Sequence, residues 1–223
     1  MDTGKIVTDP GLDPNSLDPQ AMPNDSKMSL TEIRQKLQAI AQEYAEGKIN
    51  PAQFNALYRY YTEKRQLIEL LVARDPDSDA WKVVAKTQHT NFLKNRFESR
   101  PMYYLVARYR DRQPLMSHGR LPQESAHRVF KLLQSIWNMG KPDEGHVCRR
   151  MDKHLWLMLS MGQWSLTVVI FQYQPSSHQF SQVKDLHSDF ERANAHSLQR
   201  DTQPENIAER LVYPQRALDL EES

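Results

Sequence analysis

The stretch LWLMLSMGQWSLTVVIFQY, residues 155–173, decides the fold. Two short apolar runs rich in β-branched and aromatic residues flank the pair Gly162-Gln163. Runs of that length bounded by turn residues read as strands, and a pair with glycine first reads as a two-residue hairpin turn. Strands are therefore expected over 154–161 and 164–173, with another over 146–151 before them. Working upstream, residues 102–110 alternate in part and carry tyrosine and valine, which reads as a strand. Residues 111–114 make a turn into a short strand over 115–118. Between the strand groups, Pro122 and Glu124 open a helix whose inward positions are Ala126, Val129, Leu132, Leu133, Ile136 and Trp137. Downstream, a capped loop at 175–177 starts a helix to about residue 199, with Phe180, Val183, Leu186, Phe190 and Ala193 inward. A helical face around Trp81, Val84, Ala85, Phe92, Leu93 and Phe97 precedes all of this. From residue 81 the order is α-β-β-α-β-β-β-α, an α+β class with a five-stranded antiparallel sheet and flanking helices.

Residues 29–73 read as a helical hairpin. Ser29 and Glu32 have the spacing of a capping box. Leu30, Ile33, Leu37, Ile40 and Tyr44 follow in steps of three and four, which places them on one seam. Gly47 ends that helix, and Asn50-Pro51 starts the next with a cap and a proline at the first helical position. The second seam is Phe54, Leu57, Tyr61, Ile68 and Leu71, interrupted by Lys64. Two lone helices cannot bury both seams, so the seam from Leu30 to Ile68 is a candidate oligomerisation surface unless its own domain covers it. Residues 1–28, with three Asp-Pro steps, read as a disordered acidic tail. Residues 200–223 read as a second acidic tail with a short helix over 204–211, and Leu211, Val212 and Tyr213 are candidates to dock it.

The order of elements resembles the roadblock family, which has a profilin-like fold. The residues carrying the resemblance are the strand–turn–strand at 103–117, the helix at 123–138, the hairpin at 155–172 and the final helix. It covers 85–199 and rests on element order and length. The segment YAEGKINPAQF around Gly47-Lys48-Ile49-Asn50 resembles the short SHOCT oligomerisation module over about forty residues. The roadblock resemblance implies dimerisation through a helix and an edge strand, and a platform offered to a Ras-like small GTPase. GAF and PAS sensor domains share much of the order. That alternative requires a ligand pocket lined by residues such as Met151, Met158, Met161 and Phe171.

The chain's 223 residues are 39% apolar and 26% charged, the composition of a globular protein. Mean hydropathy is −0.73, and no run approaches the roughly 18 apolar residues of a membrane span. The N-terminus lacks the apolar centre of a signal peptide, and the single cysteine, Cys148, excludes an internal disulfide; both fit a reducing cytoplasm. None of the seven glycines forms a phosphate-cradling loop. His146, Cys148 and His154 lack metal-ligand spacing and adjoin Arg149 and Arg150. His187 stands two residues from Asp185 and Asp189, which puts them on different helix faces. No nucleophile motif or paired core carboxylate appears, so no catalytic residue, cofactor or metal is assigned and an enzyme is not expected. Trp156, Trp164, Phe171 and Tyr173 read as sheet core and rim.

Charge is uneven. Both tails are acidic, the last 24 residues holding six acids against Arg200, Arg210 and Arg216, so the body between them is basic. Eleven lysines and arginines fall between Trp81 and Lys131, against Glu98, Asp111 and Glu124. Arg96, Arg100, Arg108, Arg110 and Arg112 form the candidate partner-binding face. Strand alternation sends Arg108 and Arg110 to solvent and Leu105, Ala107 and Tyr109 to the core. The sequence therefore reads as a non-enzymatic cytoplasmic scaffold or regulator of prokaryotic signalling, a homo-oligomer bound to a protein partner. A GAF/PAS-like sensor and a nucleic-acid-associated protein using its basic face are the alternatives.

Overall fold

The computed structural model describes residues 23–86, 89–140, 143–200 and 207–218. Residues 1–22, most of the expected acidic tail, lie outside that set. Helix α1 spans Asn24–Ala45 and α2 spans Pro51–Arg74. The first helix opens five residues ahead of Ser29, so the Ser29–Glu32 capping box does not form, and residues 24–28 are helical rather than part of a tail. Pro23 holds the extended conformation of a cap residue, and the Ser26 hydroxyl donates to its carbonyl at 2.7 Å. The second helix starts as its sequence dictates. Asn50 accepts from Gln53 N and Gln53 Oε1 accepts from Asn50 N, both at 2.9 Å. Gly47 takes φ +71 between the two helices, a conformation that favours glycine.

Two short helices complete this layer, α3 at Ala80–Lys86 and α4 at Thr90–Arg96. They decide the fate of the hairpin seam. Leu30, Ile33, Ile40, Leu57, Tyr61 and Ile68 are buried in one core with Val72 and Trp81, while Leu37 and Phe54 pack half-buried against it. Only Tyr44 is exposed, its ring stacked on Phe54. The seam is thus an internal core and not an oligomerisation surface, because α3 and α4 cover what a two-helix hairpin leaves open. The interruption at Lys64 has the same cause. Its buried ammonium donates to Ala85 O at 2.7 Å, near the end of α3, where a cation complements unpaired carbonyls.

The sheet is antiparallel throughout, in the order β2-β1-β5-β4-β3. Its strands are β1 Arg100–Arg108, β2 Gln113–Gly119, β3 Gly145–Arg150, β4 Leu155–Met161 and β5 Ser165–Gln172. Helix α5, Gln123–Met139, covers one face through Val129, Leu133 and Ile136 against Leu105, Ala107, Leu157, Val168 and Ile170. Ala126, expected inward, is exposed. Helix α6, Ser177–Gln199, covers the other face through Val183, Phe190 and Leu198 against Tyr104, Val106, Met158, Val169 and Phe171. Ile207, Leu211 and Tyr213 join this second core, while Val212 points outward. A 3-10 turn at Pro214–Leu218 follows. The interior strands β4 and β5 are therefore buried on two faces, which accounts for their continuous apolar runs.

The turn between β4 and β5 differs from the two-residue hairpin that Gly162-Gln163 predicts. Strand β4 stops at Met161, β5 starts at Ser165, and Gly162 does not take the positive φ of a Gly-first turn. A carboxylate from α6 organises it instead. Glu191 accepts from the amides of Gln163 at 2.7 Å, Trp164 at 3.0 Å and Ser165 at 2.7 Å, and from the Ser165 hydroxyl at 2.7 Å. A side chain on Gly162 would collide with that carboxylate, which explains the glycine.

Candidate interaction groove

The five arginines of the expected basic face do not converge. Arg96 ends α4, its guanidinium 5.8 Å from the Phe92 ring centre, and Arg100 opens β1, 3.6 Å from Glu98. Arg108 closes the same strand eight residues on, about 26 Å away at ~3.3 Å per residue. Arg108 is also not on the surface. It is 1% exposed, ion-paired with Asp111, and donates to Leu198 O at 3.4 Å and Arg200 O at 3.0 Å. The alternation itself is as expected, since Leu105, Ala107 and Tyr109 pack on the α5 side. The error concerns the opposite face, which α6 covers, so that Arg108 meets carbonyls at the end of that helix rather than water.

Arg110 and Arg112 remain exposed in the turn after β1. With Arg108 they line a cleft of about 390 Å³ whose other walls include Trp137 and Trp164. Burial raises the pKa of the Tyr109 hydroxyl in that lining. Arg112 takes φ +54, a backbone conformation that non-glycine residues rarely adopt. Arg112 and Trp137 also line a second, apolar groove of about 510 Å³ between α5 and the β1–β2 pair, with Tyr103, Leu105, Leu121 and Phe130. The two depressions share Arg112 and Trp137, the lining being apolar along α5 and carrying arginines at the turn. Phe130 stands over it 52% exposed. Sequence reasoning placed Phe130 on no face because it lies between the inward and outward stripes of its helix.

The methionine pocket of the sensor alternative does not assemble. Met158 and Phe171 face α6, whereas Met151 and Met161 lie on the α5 side of the sheet. His146 and Cys148 share the α6 face of β3, and burial raises the Cys148 thiol pKa. Among the described residues, no three histidine, cysteine or carboxylate side chains group as a metal site. No helix among them is long and apolar enough to cross a membrane.

Beneath α6 runs a row of polar side chains that apolar periodicity does not reveal. His146, Ser160 and Thr167 are cross-strand neighbours on β3, β4 and β5. Thr167 Oγ1 lies 2.9 Å from His187 Nδ1 and accepts from Gln215 Nε2 at 3.1 Å. Burial lowers the His187 pKa to about 4, Glu191 opposing the shift and His146 adding to it. An unfolded imidazole binds its proton near pH 6.5, so the unfolded state takes up the proton first as the medium is acidified. The contribution of neutral His187 is therefore complete above pH 6.5, declines as pH falls towards 4, and is lost below that, by roughly 3 kcal/mol in all. Urea unfolding at pH 7 and pH 4 checks this: His187→Gln should remove that part of the acid destabilisation, and an unchanged pH dependence would refute it.

Fold and surface define the class: an α+β protein with a five-stranded antiparallel sheet, a helix on each face and an N-terminal helical pair. No protein-family model matches the sequence, and no curated protein matches it either.

Proposed function

We propose that this chain is a non-enzymatic scaffold or regulator of the roadblock type, a homodimer that binds a protein partner such as a Ras-like small GTPase in the cytoplasm. The observation that carries the reading is an open sheet edge beside an apolar strip. Among the described residues strand β3 pairs only with β4, and Val147 on it is 38% exposed. On the adjoining side of α5, Arg128 donates to Met151 O at 3.1 Å, just past the end of β3. Leu132 and Met139 follow Arg128 on that helix face, and Met139 is 76% exposed. An edge strand and an apolar helix flank are what a two-fold partner covers, each copy offering the same patch. The strip lies on the opposite flank of α5 from the groove, so a dimer closed through it leaves the groove open.

Sedimentation velocity tests the reading. The full chain should run as a dimer, and Val147→Lys combined with Met139→Glu should give a monomer with an unchanged thermal transition, since both sites are exposed. A monomeric unsubstituted chain, or a dimer indifferent to both changes, would overturn it.

A further inference from the structure

The groove on the β2 side of α5 combines three features that select one kind of occupant. Among the described residues strand β2 ends the sheet and pairs only with β1, so alternate N–H and C=O groups point away from it. Its α5-facing positions are Pro114, Ser117 and Gly119, opposite Ala107, Leu105 and Tyr103, and their small side chains leave the 510 Å³ groove unfilled. At one end of β2 the groove and the 390 Å³ cleft share Arg112, and among the described residues neither lining includes a carboxylate side chain. Arg108 in the cleft is matched by Asp111, whereas exposed Arg112 stands where the two depressions join.

We infer that the groove binds an extended acidic peptide segment of a protein partner, added to β2 as a sixth strand of the sheet. The inference deepens the reading of the chain as a protein-binding module. Main-chain hydrogen bonds to β2 supply affinity, and every second side chain of the peptide drops into the groove beside Phe130. Pro114 has no N–H, so pairing is confined to 115–119 and the segment nearest Arg112 is recognised by charge. Antiparallel addition, the more stable pairing, runs the peptide from Gly119 towards Gln113. Its acidic residues therefore follow its apolar ones in sequence and arrive at Arg112 and the cleft walled by Trp137 and Trp164.

A random peptide library displayed on phage, panned against the full chain, tests this. Enriched peptides should alternate apolar residues and continue into aspartate or glutamate. A synthetic peptide of the enriched sequence should shift the backbone amide resonances of 115–119. Phe130→Asp should abolish its binding. Arg112→Gly should weaken it at least about tenfold without loss of folding, because φ +54 suits glycine better than arginine. No enrichment over a Phe130→Asp bait overturns the inference. So do enriched peptides without acidic ends, saturable binding of a long-chain fatty acid that displaces the peptide, or peptide binding that falls as the chain self-associates. Sedimentation separates the failures: a monomer that still binds the peptide removes the homodimer and leaves the groove, and a dimer without peptide binding does the reverse.

Discussion

Glu191→Ala is expected to cost about 4 kcal/mol of folding stability, a large share of the roughly 5 to 15 kcal/mol by which folded domains are stable. The carboxylate, 8% exposed, accepts from three consecutive backbone amides and the Ser165 hydroxyl. Hydrogen bonds to an ionised acceptor contribute more than neutral ones, and Ser165 is fully buried, so its amide and hydroxyl would lose their partner away from water. Glu191→Gln should cost about half as much, since the amide keeps one accepting oxygen but turns a second donor towards the turn. Gly162→Ala should destabilise the native chain by driving a methyl into the carboxylate, and should do little once Glu191 is alanine. Urea unfolding followed by tryptophan fluorescence reads the native chain, the three single variants and the Gly162→Ala/Glu191→Ala double, with Trp164 in the turn itself. A loss under about 1 kcal/mol for Glu191→Ala would mean that water replaces the carboxylate and that the turn holds itself.

The second large effect belongs to Arg108. Truncation to alanine should cost about 3 to 5 kcal/mol, because it strands the mostly buried Asp111 carboxylate and the carbonyls of Leu198 and Arg200. Arg108→Met with Asp111→Ala should recover a substantial part of that loss, since the pair is then removed together rather than split. By contrast, Arg100→Ala should stay within about 0.5 kcal/mol, its pair with Glu98 being exposed. A double-mutant cycle on Arg108 and Asp111 with thermal unfolding measures the coupling. Additive losses would show that the carbonyls, not the ion pair, hold the guanidinium.

These two side chains also mark where sequence reasoning stops. Strand alternation placed Arg108 opposite Leu105 and Ala107 correctly, yet nothing in residues 100–112 says that this face lies under a helix that begins only at Ser177. Glu191 stands at the register of the inward stripe of α6, with Val183, His187, Phe190 and Asn194, but a glutamate at an inward position reads as solvated until its donors are known. The candidate groove was legible only in its charge: Arg110 and Arg112 are exposed as expected, while Phe130 and the small residues of β2 become a site only through the angle at which α5 crosses the sheet.

What the sequence determines by itself is local. The caps Asn50–Gln53 and Ser176–Gln179 form as their spacing dictates, because each involves residues three apart in the chain. The apolar runs of β4 and β5 and the periodicities of α2, α5 and α6 likewise carry their own signal, since burial of a repeating face follows from spacing. Tertiary structure decides the rest. It turns the hairpin seam from a surface into a core by laying α3 and α4 over it, and it brings Leu211 and Tyr213 into the α6 core. It also settles the buried charges Lys64, Arg108 and Glu191, because a charge is tolerated inside only when partners arrive from elsewhere. Lys64 meets a carbonyl 21 residues on, Glu191 meets amides 26 to 28 residues back, and Arg108 meets a carbonyl 90 residues on. No local pattern encodes those meetings; the packing of the sheet between its two helices does.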